Sequence, residues 1–180
     1  MHRSAEISAC GQYRWWLRRD WYDEVAILHE GRRECVFCGL NPSTADDVVD
    51  DQTLKIWTAF ARRWGYTGFT VVNAYPFRST DPKGLLAWYD TTPDLSQVMA
   101  KNRAAIRKWS NLWPGQSIVC WGNGIDLVGD QSNLLTLECI EGMPQCLGIT
   151  KSGHPKHPLR LPLCTLLQPY LIEGSTDERL

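Results

Sequence analysis

The chain has 180 residues, 43% of them apolar, with nine tryptophans and a formal net charge of -1. That length and apolar content allow one domain, 1–180, to bury a core that outweighs its conformational entropy. The near-neutral charge and aromatic content exclude a disordered tail and a polybasic nucleic-acid coat, so any nucleic-acid contact must be local.

The first ten residues, Met1 to Cys10, lack the apolar run of a secretory signal. No later stretch approaches the roughly 20 apolar residues that cross a bilayer. A cytoplasmic protein with no membrane partner is expected. Tyr13 to Leu17 and Val25 to Leu28 flank the polar stretch Arg18 to Glu24 and read as an N-terminal hairpin.

The next run, Cys35 to Leu40, is β-rich and contains a C-x-x-C at Cys35 and Cys38. Redox pairs of this kind open helices, whose dipole lowers the thiol pKa, and metal pairs need a second pair at ligand spacing. Neither condition holds, so both thiols are expected to be buried structural residues, with no metal and no cofactor. Leu54, Trp57, Phe60, Ala61 and Trp64 then fall on one helical face, with Gly65 as the stop.

A second strand is read over Phe69 to Asn73, a helix over Leu95 to Leu112 that ends before Pro114, and a third strand over Ser117 to Trp121. A weaker helical pattern runs from Ile125 to Leu137, a fourth strand from Gln145 to Ile149, and a last helix from Leu159 to Tyr170. Strands alternating with helices imply right-handed crossovers. The expected fold is α/β, a three-layer αβα sandwich with a central, mainly parallel four-stranded sheet plus the N-terminal hairpin.

Ligands of such sheets bind beyond the carboxyl ends of the strands. The residues there are Gly39-Leu40-Asn41-Pro42-Ser43, Asn73-Ala74-Tyr75-Pro76, Trp121-Gly122-Asn123-Gly124 and Gly153-His154-Pro155-Lys156-His157-Pro158-Leu159. Each cluster alone could be turn chemistry. Their joint order carries the information.

That order resembles the uracil-DNA glycosylase superfamily over roughly Cys35 to Pro169. Gly39 to Ser43 is similar to the superfamily's Gly-apolar-Asp/Asn-Pro motif. Val71-Val72-Asn73 is similar to its strand ending in a base-reading Asn, and His154 to Leu159 to its His-Pro loop. The Asn-Pro-Ser-Thr-Ala and Pro-Lys-His-Pro-Leu signatures are also similar to those of a bacterial and phage group.

The resemblance implies a monomeric, monofunctional DNA N-glycosylase that flips a base out of double-stranded DNA. Asn41 would hold the attacking water, as Asn does in mismatch-specific relatives, and His157 would stabilise the departing base carbonyl. His154-Pro155 also fits the His-Pro pattern, so His154 stays a second choice, grouped with Asn73 and Ser43 as base-binding. Uracil-restricted relatives carry Tyr where Ser43 stands, and Ser leaves that volume open. A C5-modified pyrimidine, hydroxymethylated or glucosylated as in phage DNA, is the expected substrate, and phage defence the expected role.

Leu159 would be the wedge in the base stack. Between Glu141 and Glu173 there is no acidic residue, while Lys151, Lys156 and Arg160 form a cationic strip suited to phosphates. The aspartates Asp46, Asp47, Asp50 and Asp51 could activate water or bind a sugar on the base, but capping the following helix is favoured. Trp57 or Tyr75 could stack on the base, although core positions are favoured for both. The alternatives are an N-glycosidase acting on free modified nucleotides and a non-catalytic nucleic-acid-binding module.

Overall fold

The computed structural model describes residues 1–22, 31–43, 50–129 and 131–171. The strand β3 (Glu34–Gly39) is buried along its whole length. Its alternate residues serve opposite faces: Val36 and Cys38 join one core cluster, and Cys35 and Phe37 the other. A near-continuous apolar run covered on both faces is what a central parallel strand requires. The C-x-x-C spacing therefore sends its two thiols to opposite sides of the sheet. Burial pushes both well above the ordinary thiol range, which keeps them protonated and inert.

Seven strands form one mixed sheet in the order β1-β2-β4-β3-β5-β6-β7. Its parallel core is β4 (Gly68–Asn73), β3, β5 (Ser117–Val119) and β6 (Gln145–Cys146). These are the four strands read from the sequence, with the last two shorter than expected. The N-terminal hairpin is present but differently paired. Its strands are β1 (His2–Ile7) and β2 (Arg14–Asp20), antiparallel, with β2 continuing antiparallel onto β4. Val25 to Leu28, the expected partner, lies outside the described residues. The polar segment HRSAEI hid β1, because an edge strand needs no apolar alternation.

After β3, helix α1 (Gln52–Arg63) starts where Asp51 accepts the Leu54 N–H at 2.8 Å and stops at Gly65, whose φ of 76° suits only glycine. It buries Leu54, Trp57, Phe60 and Ala61 against Cys35, Phe37, Phe69 and Val71. On the other face lie α2 (Pro82–Thr91) and α3 (Leu95–Leu112), whose Leu85, Trp88, Val98, Met99, Ile106 and Trp109 cover Val36, Cys38 and Val72. Helix α2 was not expected; its signal is Asp81, which caps by accepting the Lys83 N–H at 3.0 Å.

Two expected helices differ. The pattern from Ile125 to Leu137 splits into a 3-10 helix, Gly122–Leu127, and α4 (Ser132–Leu137), with Gly129 at φ 68° between them. Leu159 to Tyr170 is not helical. A 3-10 turn, Pro158–Arg160, is followed by loop and by β7 (Gln168–Pro169), antiparallel to β6. Pro162 explains the stop, because it has no N–H and clashes with the preceding turn. No helix among the described residues is long and apolar enough to cross a membrane.

Chain order places a switch point at the centre of the sheet. From β3 the chain crosses through α1 to β4 on one side, then returns through α2 and α3 to β5 on the other. Loops diverge at such a point and leave a crevice above the strands' carboxyl ends.

Candidate active site

A cavity of about 380 Å³ occupies that crevice, within the roughly 300–1,000 Å³ range of small-molecule sites. The loop after β3 contributes Asn41 and Ser43, the end of β4 contributes Asn73, the loop after β5 contributes Trp121 to Gly124, and the C-terminal loop contributes His157. Four side chains named from sequence, Asn41, Ser43, Asn73 and His157, therefore share one cavity.

Asn41 has a fixed orientation. The two hydrogens of its Nδ2 are shared among the backbone carbonyls of Ser79 at 2.8 Å, Phe77 at 3.2 Å and Pro42 at 3.2 Å. Flipping the amide would set its oxygen against three carbonyl oxygens, so the hydrogen-bond network settles the assignment. With Nδ2 occupied, Oδ1 is the atom of this amide that can accept from a ligand or water.

Asn73 is 1% exposed, and its Nδ2 has no hydrogen-bond partner among the described residues. Leaving a buried donor unpaired costs roughly 1–3 kcal/mol, a cost that a ligand carbonyl would relieve. The side chain lies close over β3: a Cβ on Gly39 would stand 2.9 Å from Asn73 Oδ1. From α3, the fully buried Asn102 fixes the strand end by donating to the backbone oxygens of Asn73 at 2.9 Å and Ala74 at 3.0 Å.

His157 Nδ1 accepts the Leu159 N–H at 3.3 Å, so the neutral ring carries its proton on Nε2. His157 is exposed by surface area, yet the protein beside the ring partly desolvates it and lowers its pKa from the ordinary 6.5, while the Asp51 carboxylate opposes that shift. A neutral imidazole with Nε2–H is a hydrogen-bond donor at pH 7. Trp57 stands beside it, ring centroids 6.3 Å apart.

Ser43 Oγ donates to Asp51 Oδ2 at 2.6 Å, while Asp51 Oδ1 receives the Leu54 N–H of the helix cap. Asp51, expected chiefly as a cap, also lines the cavity. Asp50 is structural: it pairs with the fully buried Arg19 at 2.8 Å and with Arg3 at 3.2 Å. Asp46 and Asp47 lie outside the described residues.

Other named residues are not brought into the cavity. His154 turns away and binds Asp126 through Nε2 at 2.7 Å. Pro155 bridges to Ile149, and a spacing of three along extended chain sends the two imidazoles to opposite sides. Leu159 is half-buried in the 3-10 turn. Lys151, Lys156 and Arg160 are exposed and form no ion pair among the described residues. The Lys156 chain runs over Gly148. Tyr75 is fully buried, edge-on to Tyr89, and does not line the cavity, whereas Trp57 does, stacked on Phe37 at 5.4 Å.

Arg14 and Thr53 line the cavity without having been named as candidates, and Trp121, from the strand-end cluster after β5, lines it too. Arg14 is buried and arrives through pairing, since β2 begins beside the carboxyl end of β4 and Arg14 N–H bonds Pro76 O at 3.0 Å. Only tertiary register could have revealed it. Asn123 accepts from Thr150 Oγ1 at 2.6 Å, tying the loop after β5 to the loop before His157. Among the described residues, the wall holds one carboxylate, one imidazole and one guanidinium, and no cluster of three or more His, Cys, Asp or Glu is arranged to hold a metal ion.

No curated protein and no solved structure matches the chain significantly. The model of a family described as a protein of unknown function, DUF1643, matches residues 14–159. That span runs from Arg14 of the cavity wall to Leu159 beyond its histidine, and the chain belongs to the DUF1643 family.

Proposed function

We propose that this protein is an N-glycosylase related to the uracil-DNA glycosylase superfamily, built on a three-layer αβα sandwich, and that it hydrolyses the bond between a C5-modified pyrimidine and its deoxyribose in DNA. The observation that carries this reading is the convergence of Asn41, Asn73 and His157 on one cavity at the carboxyl ends of the parallel strands. Cleavage of a nucleobase places positive charge on the sugar and negative charge on the base. The site must therefore offer an oriented water and donors aimed at the leaving ring.

Each group has a part that fits its geometry. Asn41 Oδ1, left free by the carbonyls that hold Nδ2, accepts from the attacking water. Asn73 Nδ2 donates to a carbonyl on the base edge. His157 donates Nε2–H to the base oxygen as charge grows there, and its lowered pKa keeps the ring a neutral donor without a competing cation. Ser43 is small enough to leave room beside the base, and Lys151, Lys156 and Arg160 supply phosphate contacts outside the cavity. A role in defence against phages with modified DNA follows from that substrate.

The half-buried Leu159 favours a second reading, because a wedge must project: an N-glycosidase acting on free modified nucleotides has no need of one. The test is base release, read by mass, from duplexes and nucleotides carrying uracil, thymine, hydroxymethyl-pyrimidines or glucosylated cytosine. Release of modified bases from duplex, lost in Ser43→Tyr, is expected. Release of uracil alone would contradict the specificity, and release only from nucleotides would select the second reading.

A further inference from the structure

The geometry points to Asp51 as the catalytic carboxylate of this cavity, doing the work that the amide of Asn41 cannot. The inference rests on the proposed glycosidic cleavage. Asn41 orients a water but has no basic site of useful strength, so its Oδ1 alone leaves the water's proton with no acceptor. Among the described residues that line the cavity, Asp51 alone carries a carboxylate.

Its placement is firm. Oδ1 accepts the Leu54 N–H at 2.8 Å and Oδ2 accepts the Ser43 hydroxyl at 2.6 Å. An ionised carboxylate has about four acceptor sites, so these two bonds fix the plane of the group and leave acceptor capacity for the cavity. The rotamer is locked from the helix on one side and from the strand-end loop on the other, as a group that must meet a transition state requires. Helix capping alone explains neither the Ser43 contact nor the position on the cavity wall, because an N-cap needs one oxygen.

In the step, the water oxygen bonds to C1′ of the sugar while the C1′–N bond breaks and its electron pair leaves with the base. The water's proton passes to an Asp51 oxygen, and solvent later removes it. The departing base, held by His157 and Asn73, takes a proton from solvent. Before the proton moves, the Asp51 charge stabilises the cationic sugar. Ser43 gains a second part: it positions this carboxylate.

The test is Asp51→Asn in the full chain. Asn is as good an N-cap as Asp and can still meet Ser43, so only the charge is removed. Asp51→Ser, which keeps the cap but loses the reach, is the second variant. The readouts are single-turnover base release, affinity for duplex containing a neutral abasic-site analogue, and thermal midpoint. A fall in turnover of about 100-fold or more, with affinity and midpoint close to wild type, is expected for both variants. Turnover within about threefold of wild type in folded Asp51→Asn would overturn the assignment while leaving the glycosylase reading intact. A wild-type protein that releases no base from duplex or nucleotide would overturn the reading itself, and the assignment with it.

Discussion

Asn41 and Asp differ by one heavy atom, yet the structure makes them unequal at this position. The Nδ2 group sits among three backbone carbonyls, so a carboxylate oxygen there would face three like partial charges and leave the carbonyl of Ser79 without its donor. Asn41→Asp should therefore lose about 1–3 kcal/mol in urea unfolding and should not raise activity. An Asn41→Asp variant as stable as wild type, or more active, would contradict the orientation described. The sequence offered the residue and its motif, but not the carbonyl cage from the loop at Phe77 to Ser79, because that loop is about 36 residues downstream.

His157 has a pH signature. Its folded pKa lies below 6.5, so above that value the ring is neutral in both folded and unfolded chains and contributes no pH dependence. As pH falls through 6.5 the unfolded chain takes up the proton first, and stability declines until the folded ring titrates too. NMR titration of the ring should give a midpoint below 6.5, and His157→Gln should weaken the acid-side loss of stability between the two midpoints. A midpoint above 6.5 would contradict the packing around the ring. Two histidines within four residues were equally visible in the sequence. What separates them is the extended backbone that sends His154 to Asp126.

At the scale of elements, β2 and β4 are in tight contact at Gly68, where an added Cβ would stand 2.8 Å from Asp20 Cβ and 3.0 Å from the backbone oxygen of Arg19. Backbone cannot yield as a side-chain end can, so Gly68→Ala should destabilise by about 1–3 kcal/mol, measured by urea unfolding. A neutral effect would show that the β2–β4 register differs from Leu17 opposite Val71. The parallel strands and helices α1 and α3 were legible because apolar periodicity marks elements that bury one or both faces. Strand β1, at the polar edge, and the segment after Pro162 were not. Edge position and proline override the apolar pattern in ways that a window of sequence does not weigh.

For the whole molecule, the two ends of the sheet have different tasks. At the amino end of β3, the buried Glu34 is held by Arg18 at 2.6 Å and by Arg32 at 2.8 Å, with Asp20 also on Arg18 at 3.0 Å. This network ties the hairpin to the sheet's centre. At the carboxyl end, the last residue of β4 and the loops after β3, β5 and β6 meet around one cavity whose wall combines amides, a carboxylate and a neutral imidazole. The order of motifs along the chain made that convergence legible, since a switch point gathers strand-end residues whatever their separation in sequence. The contribution of Arg14 stayed hidden because it depends on which strand pairs beside β4.

The most direct measurement is mass analysis of the small molecules and DNA strands left when the purified protein is incubated with hydroxymethylated or glucosylated phage DNA. A free modified base in solution and an abasic site in the strand are expected, both absent with Asn41→Ala or His157→Ala. Intact strands with every base still attached, in DNA and nucleotides alike, would contradict the proposed cleavage.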